Sequence, residues 1–154
     1  MPNTAQDWQT LQAIAAARLG VRVDRAAATH AAATTPYFHI YGGRVLMTML
    51  LGKVTTASGA NACSWVANPT TGTATQKVCG NLDIDPAVVG DSLTITGLAG
   101  DAMIYGTTAG LGTMGRGVIL NVGTLDFVAA AADGATSWQM WYIPLDDGAY
   151  VAAV

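Results

Sequence analysis

The stretch NACSWVANPTTGTATQKVC, residues 61–79, decides the fold. It reads as strand, turn, strand. Ala62–Ala67 and Thr73–Cys79 carry the valines, threonines and tryptophan that suit a pleated surface, and Asn68, Pro69 and Gly72 between them are turn residues. A hairpin symmetric about Thr71 places Ala67 opposite Thr75, Trp65 opposite Lys77, and Cys63 opposite Cys79. Directly opposed antiparallel residues lie about 4.5–5.5 Å apart at Cα, within disulfide reach. Two readings of the cysteines therefore stay open: a bridge, or reduced apolar strand positions, which a cytosolic origin favours. Zinc is disfavoured, because two thiols this far apart with no nearby histidine lack the ligand spacing, and a redox CxxC is absent.

The composition extends the β reading to the whole chain. The 154 residues are 51% hydrophobic and only 11% charged, and they include 18 glycines. No glutamate occurs, and the lysines are Lys53 and Lys77 alone. Strong helix formers are thus scarce, and Thr, Val and Gly are plentiful. Length points to one domain of ordinary size. A large apolar share with so few charges implies that partner subunits cover some surface. The net charge of −3 argues against nucleic acid as partner. Residues 1–53 carry five cations against two aspartates, net +3, and residues 54–154 carry two cations against eight aspartates, net −6. A basic arm on an acidic body is one reading of that asymmetry, and chance among few charges is the other. The N-terminus lacks the features of a signal peptide, and the longest apolar run, VLMTMLLG, is too short for a membrane span.

Residues 4–19 are expected to form a helix. Thr4 caps it, Asp7 sits at the capping-box position, Trp8, Leu11, Ile14 (or Ala15) and Leu19 share a face, and Gly20 ends it. Residues 21–35, VRVDRAAATHAAATT, read as a small-residue linker that is mobile or docked on something else. The division expected is therefore an N-terminal helix and arm over 1–35 and a β body over 36–154. In the body the expected strands are Tyr37–Tyr41, Arg44–Thr56, Ala62–Ala67, Thr73–Cys79, Ser92–Leu98, Ala102–Gly106, Gly117–Phe127, Ser137–Ile143 and Ala149–Val154, with Gly, Asp and Pro turns between them. Many short strands at this spacing indicate an all-β sandwich or barrel.

No catalytic, cofactor-binding or metal-binding residue is assigned. His30 falls in the linker and His39 in the first body strand, with no second histidine at ligand spacing. Ser64 and Ser92 have no GxSxG context. Asp83 and Asp85 in LDIDP lack an EF-hand pattern and read as a loop entry. Asp146-Asp147-Gly148 is a hairpin turn. GLGTMG, residues 110–115 of a Gly-rich loop, opens no helix in a βαβ unit, so it is not a dinucleotide fingerprint. In SWQMWYIPL, Trp138, Met140 and Tyr142 fall on one face of a strand and Trp141 and Ile143 on the other. A strand apolar on both faces is buried by the core on one side and by a partner on the other, although the same aromatics are also a candidate sugar platform.

The segments PYFHIYGGRVLMTMLLGKVTT, VANPTTGTATQKVCGNLDID, VGDSLTITG and SWQMWYIPLDDGAYV, taken in this order over residues 36–154, resemble the capsid decoration (cement) proteins of tailed phages. The resemblance implies a jelly-roll-like or other β-sandwich body with an extended terminal arm. It implies a homo-oligomer, with a trimer favoured, bound to the major capsid protein on the outside of the head. There it clamps neighbouring capsomers, after synthesis in the host cytoplasm, with no enzyme activity and no cofactor. The family pattern contains no catalytic residue to carry over. A receptor- or glycan-binding module of a fibre or tail is the alternative, with Trp65, Trp138 or Trp141 as its exposed aromatics. A small hydrolase would need a nucleophile, base and oxyanion site that the sequence does not bring together.

Overall fold

The computed structural model describes residues 9–10, 13 and 17–154. Twelve strands follow in chain order: β1 (Val21–Thr29), β2 (Thr34–Tyr41), β3 (Val45–Thr56), β4 (Ala62–Pro69), β5 (Gln76–Lys77), β6 (Leu82–Asp83), β7 (Ser92–Thr94), β8 (Ile104–Gly106), β9 (Val118–Leu120), β10 (Gly123–Ala129), β11 (Ala135–Pro144) and β12 (Tyr150–Ala153). They form two six-stranded sheets. Sheet A runs β1-β11-β3-β7-β8, with β9 also paired to β3; sheet B runs β12-β2-β10-β4-β5, with β6 also paired to β4. The strand pairs are antiparallel. The quartets β1-β11-β3-β7 and β2-β10-β4-β5 follow the strand path of a jelly roll, in which the folded-over chain deals its strands alternately to two facing sheets. The expected β-sandwich is the observed fold.

Alternation builds the core. On β11, Trp138, Met140 and Tyr142 are buried while Gln139, Trp141 and Ile143 are half-buried on the outer side, as the period-2 pattern requires. On β4 and β10, Cys63, Trp65, Leu125 and Phe127 point inward. Trp65 and Trp138 meet edge to face between the sheets, with centroids 4.7 Å apart, and Phe127 and Tyr37 stack beside them at 5.1 Å. Such aromatic pairs add about 0.5–1.5 kcal/mol each beyond their buried area. Gly52 on β3 is a packing requirement, since a Cβ there would stand 2.7 Å from the Trp138 ring.

Residues 21–35 are not a linker. Val21–Thr29 is an edge strand of sheet A, paired with β11 from Val21 opposite Tyr142 to Thr29 opposite Ala135, with a bulge between Arg25 and Ala28. The body therefore begins at residue 21, not 36. Its alanines conceal it, because an edge strand paired on one side needs little apolar bulk. Val23 alone among its apolar side chains packs against the core. Of the expected helix, residues 9–10, 13 and 17–19 are helical, and it ends at Leu19. Gly20 terminates it at φ +86°, where a Cβ would sit 2.0 Å from the Tyr142 carbonyl oxygen. Thr4, Asp7, Trp8, Leu11, Ile14 and Ala15 lie outside the described residues. The Thr48 hydroxyl donates to the Leu19 carbonyl, which fixes the helix end to β3.

The expected strand Thr73–Cys79 shortens to Gln76–Lys77, and Gly117–Phe127 divides into β9 and β10. The 61–79 hairpin is slipped by one residue: Ala67 faces Gln76 and Val66 faces Lys77. Between β5 and β6 the register shifts by two more residues, so Cys63 faces Leu82 on β6, not Cys79.

Candidate interaction surface

The two ends of the sandwich differ. At one end, the β1–β2, β3–β4 and β10–β11 connections meet in a buried polar knot. The carbonyl oxygen of Asp133 collects His30 Nδ1 at 2.9 Å, Asn61 Nδ2 at 3.1 Å and Ser58 Oγ at 3.2 Å. A carbonyl only accepts, so Nδ1 carries the imidazole hydrogen and Nε2 accepts from the Thr136 hydroxyl at 2.9 Å. Thr136 Oγ1 in turn accepts from Trp138 Nε1 at 2.8 Å. Asn61 also accepts from the Ala131 amide and donates to its carbonyl. Burial pushes the His30 pKa below the usual imidazole value, partly offset by its bond to Asp133. His30 is thus a neutral structural joint tied through Thr136 to the core tryptophan, and sequence reading could not see its partners because they are 103 and 106 residues away.

The other end carries the Gly42–Gly43 and Asp146–Gly148 turns. Arg44 pairs with Asp146, its Nη2 2.8 Å from Oδ1 and its amide 2.7 Å from Oδ2, and these bonds hold the Asp146 carboxyl down to about 2. Around this pair the surface is apolar. Among the described residues nine large hydrophobic side chains are exposed, and five of them (Val21, Tyr41, Ile119, Leu145 and Tyr150) belong to strand ends or turns at this end. Tyr41 and Tyr150, opposed across β2 and β12, stack at 5.0 Å, and His39 stacks on Tyr41 at 4.0 Å. The three rings form a ladder on the outer face of sheet B. A groove of about 210 Å³ opens nearby between the β4–β5 hairpin and β9, lined by Pro69, Gln76, Lys77, Ile119 and Leu120 among others.

The remaining candidates from the sequence fall apart in space. Cys63 and Cys79 are free and buried. Burial pushes their thiols up to about 12 and about 11 respectively, so both are poor nucleophiles. Cys79 Sγ accepts from the Trp65 amide at 3.3 Å. Ser64 is buried on the outer side of β4, and Ser92 starts β7. Asp83 Oδ1 accepts from the Asn61 and Asp85 amides, which lower its pKa and make LDIDP a loop joint. Residues 110–115 are loop, with Met114 turned into the core. Among the described residues no group of three or more His, Cys, Asp or Glu is placed to hold a metal ion. Trp65 and Trp138 are fully buried and unavailable as a sugar platform, and Trp141 lies under the Arg22 guanidinium at 5.6 Å. Among the described residues the exposed aromatics are tyrosines, Tyr41 and Tyr150, which the sequence reading passed over. Their signal was the alternation HIY at 39–41 together with a tyrosine opening the final strand.

No family model, no curated protein and no solved structure matches this chain.

Proposed function

We propose that the protein is a decoration (cement) protein of a tailed-phage head. It binds the outside of the shell as a homo-oligomer, a trimer being favoured, and stabilises contacts between capsomers of the major capsid protein. The observation that carries this reading is the concentration of exposed apolar side chains at one end of the sandwich, around Tyr41, Ile119 and Tyr150. Tyrosine-rich apolar surface of this kind characterises the buried centres of protein interfaces. The jelly-roll path is compatible with it, since capsid proteins and lectins both use that fold, but a fold alone assigns no function. A ligand that binds only the assembled shell stabilises the shell by mass action, and an oligomer adds avidity without new chemistry. The alternative, a glycan-binding module, rests on the Tyr41–Tyr150 ladder alone.

The test is sedimentation of the purified chain, alone and with empty heads. A defined oligomer that co-sediments with heads at fixed stoichiometry is expected. A monomer that ignores heads overturns the proposal, and binding of the free protein to a glycan array would replace it with the alternative. A second test addresses the N-terminal arm. Removing residues 1–35 would strip β1 from β11, so the informative truncation ends at residue 19. That truncation is expected to leave a folded oligomer that no longer binds heads.

A further inference from the structure

Val88, Val89, Leu98 and Val154 complete the exposed large hydrophobics among the described residues. A single exposed apolar side chain is ordinary surface. Val88 and Val89 differ in being adjacent, 57% and 59% exposed. They form the tip of DPAVVG, residues 85–90, in the loop between β6 and β7. The loop is held by its own bonds. The Ala87 amide donates to the Ile84 carbonyl at 3.0 Å, and the Asp91 amide to the Val88 carbonyl at 3.0 Å. The buried Asp91 carboxylate accepts from the Val88 amide at 2.9 Å. Ala87 is turned into the core, and the Gly90 amide donates to the Val54 carbonyl of β3 at 2.9 Å. Two branched side chains thus stand in solvent on a backbone that is already fixed, so seating them in a partner costs little ordering entropy.

The groove of about 210 Å³ between the β4–β5 hairpin and β9 is a matching concavity. Ala67, Pro69, Ala74, Val118 and Ile119 give it apolar walls, and Lys77 is the only charged residue of its lining. A cavity of about 150 Å³ holds a benzene ring, and two valine side chains bring the same six carbons. Lys77 is exposed and forms no ion pair among the described residues. Asp85, three residues before Val88, is exposed and likewise forms none. The loop therefore carries the apolar pair that suits the walls and a carboxylate that suits the lysine. It does not reach the groove of its own chain. The loop is fastened to β3 at Val54, whereas β9 pairs with β3 at Val45–Met47. The seven residues of strand from Met47 to Val54 span about 23 Å.

We infer that Val88 and Val89 of one copy of this chain seat in the groove of a second copy, with Asp85 meeting Lys77 at the rim. Burial of the valines supplies the attraction, and the exposed ion pair sets the register rather than the strength. Loop and groove are different surfaces of the chain, so the contact is heterologous. Repeated from copy to copy, it closes into a ring or, where the rotation does not close, runs on as a filament. This inference rests on the proposed homo-oligomer and deepens it by naming the contact, and it needs no shell.

Sedimentation velocity of the full chain reads the contact directly. Wild type should associate, and a wild-type monomer overturns the inference. The double variant Val88→Asp, Val89→Asp keeps the groove and spoils the loop, and Ile119→Asp does the reverse. Each should associate at least about tenfold more weakly than wild type. Mixed in equal amounts, the two should form a dimer that grows no further, because one sound loop and one sound groove remain between them. That dimer would also show both variants to be folded. Wild-type association by either variant alone, or a mixture that stays monomeric, overturns the inference. A charge exchange gives a second route. Lys77→Asp should weaken association, and adding Asp85→Lys to the same chain should restore it; a double exchange no better than Lys77→Asp overturns the rim pairing. Empty heads separate this contact from the cement reading. Variants that associate like wild type and co-sediment with heads would sink the contact and leave the cement reading. A wild-type oligomer that both variants lose, but that ignores heads, would keep the contact and sink the cement reading.

Discussion

At one end of the sandwich three connections converge on His30, Asn61 and Thr136, all buried and all hydrogen-bonded. At the other, the turns that carry β2 into β3 and β11 into β12 leave Tyr41, Leu145 and Tyr150 in solvent, and the neighbouring β9 exposes Ile119. The first end spends its polar residues on itself. Asn61 joins two connections that are 70 residues apart in sequence, which is what a jelly roll requires, because its strands pair across long separations and their ends need fastening. The second end has apolar side chains with no described residue of this chain over them. One end is finished within the chain, and the other has the composition of an interface. Substitutions should divide accordingly: at the knot they should alter stability and leave binding alone, and at the open end the reverse.

The largest effect is expected from Asn61→Ala. It removes two donated bonds and one accepted bond at a buried site and leaves the Ala131 amide without a partner. The cost should be about 3 kcal/mol, or about 6–12 °C in Tm for a chain of this size, measured by urea and thermal unfolding. Head binding per folded molecule should not change. A loss under about 0.5 kcal/mol would mean that the knot is not what holds this end.

Next is the pH dependence carried by His30. Its folded pKa is lowered by burial, so below the usual imidazole value the unfolded chain binds a proton that the folded chain refuses. Stability is then fully present above about pH 6.5 and falls as the pH drops through that value. The urea midpoint should decline between about pH 6.5 and 5, before the carboxylates titrate. His30→Gln should be less stable at neutral pH and flatter across the same window. A wild-type midpoint that is level there would break the assignment of a neutral, buried imidazole.

The same contrast governs what the sequence disclosed. Alternation on β11 is written in side chains that the core demands, so Trp138, Met140 and Tyr142 announce a sandwich. The strand β1 is written in VRVDRAAAT, where backbone pairing to β11 does the holding and the alanines carry no periodic signal. Its role became visible only through its partner, more than a hundred residues away. The cysteine hairpin failed for a different reason. Turn residues locate a hairpin but fix its register only when one face must be buried, and both Gln76 and Lys77 on β5 are exposed. A slip of one residue therefore carried little penalty, and with the further shift before β6 it leaves Leu82 rather than Cys79 opposite Cys63. The knot was unreadable because a histidine, an asparagine and a threonine in three separate segments share no local pattern, and the open end because exposure belongs to the folded chain. The tyrosine pair went unread: the alternation of His39, Ile40 and Tyr41 bears on the face of Tyr41, but nothing local points to Tyr150 as its partner.

At the open end the effects on stability shrink. Tyr150→Ser loses one stacked ring that is already half in solvent and should cost about 0.5 kcal/mol. It is expected to weaken head binding about tenfold, since truncated interface aromatics commonly cost more than 1 kcal/mol of affinity.

The smallest change in stability is expected from Ile119→Ser, and it is the most informative. Ile119 is 61% exposed, the highest value among the large hydrophobics at this end, and it lines the groove between β9 and the β4–β5 hairpin. A side chain that makes so few contacts can be removed for about 0.5 kcal/mol or less in either direction. If it serves nothing, the variant should match wild type in every assay. An exposed isoleucine that seats in a partner predicts an unchanged unfolding midpoint, higher solubility of the free chain and reduced head binding. Wild-type binding by both Ile119→Ser and Tyr150→Ser would dissolve the contrast between the two ends, leaving the apolar side chains as ordinary surface. Loss in the tyrosine variant alone would confine the contact to the outer face of sheet B. Loss in both would extend it around the strand ends into the groove.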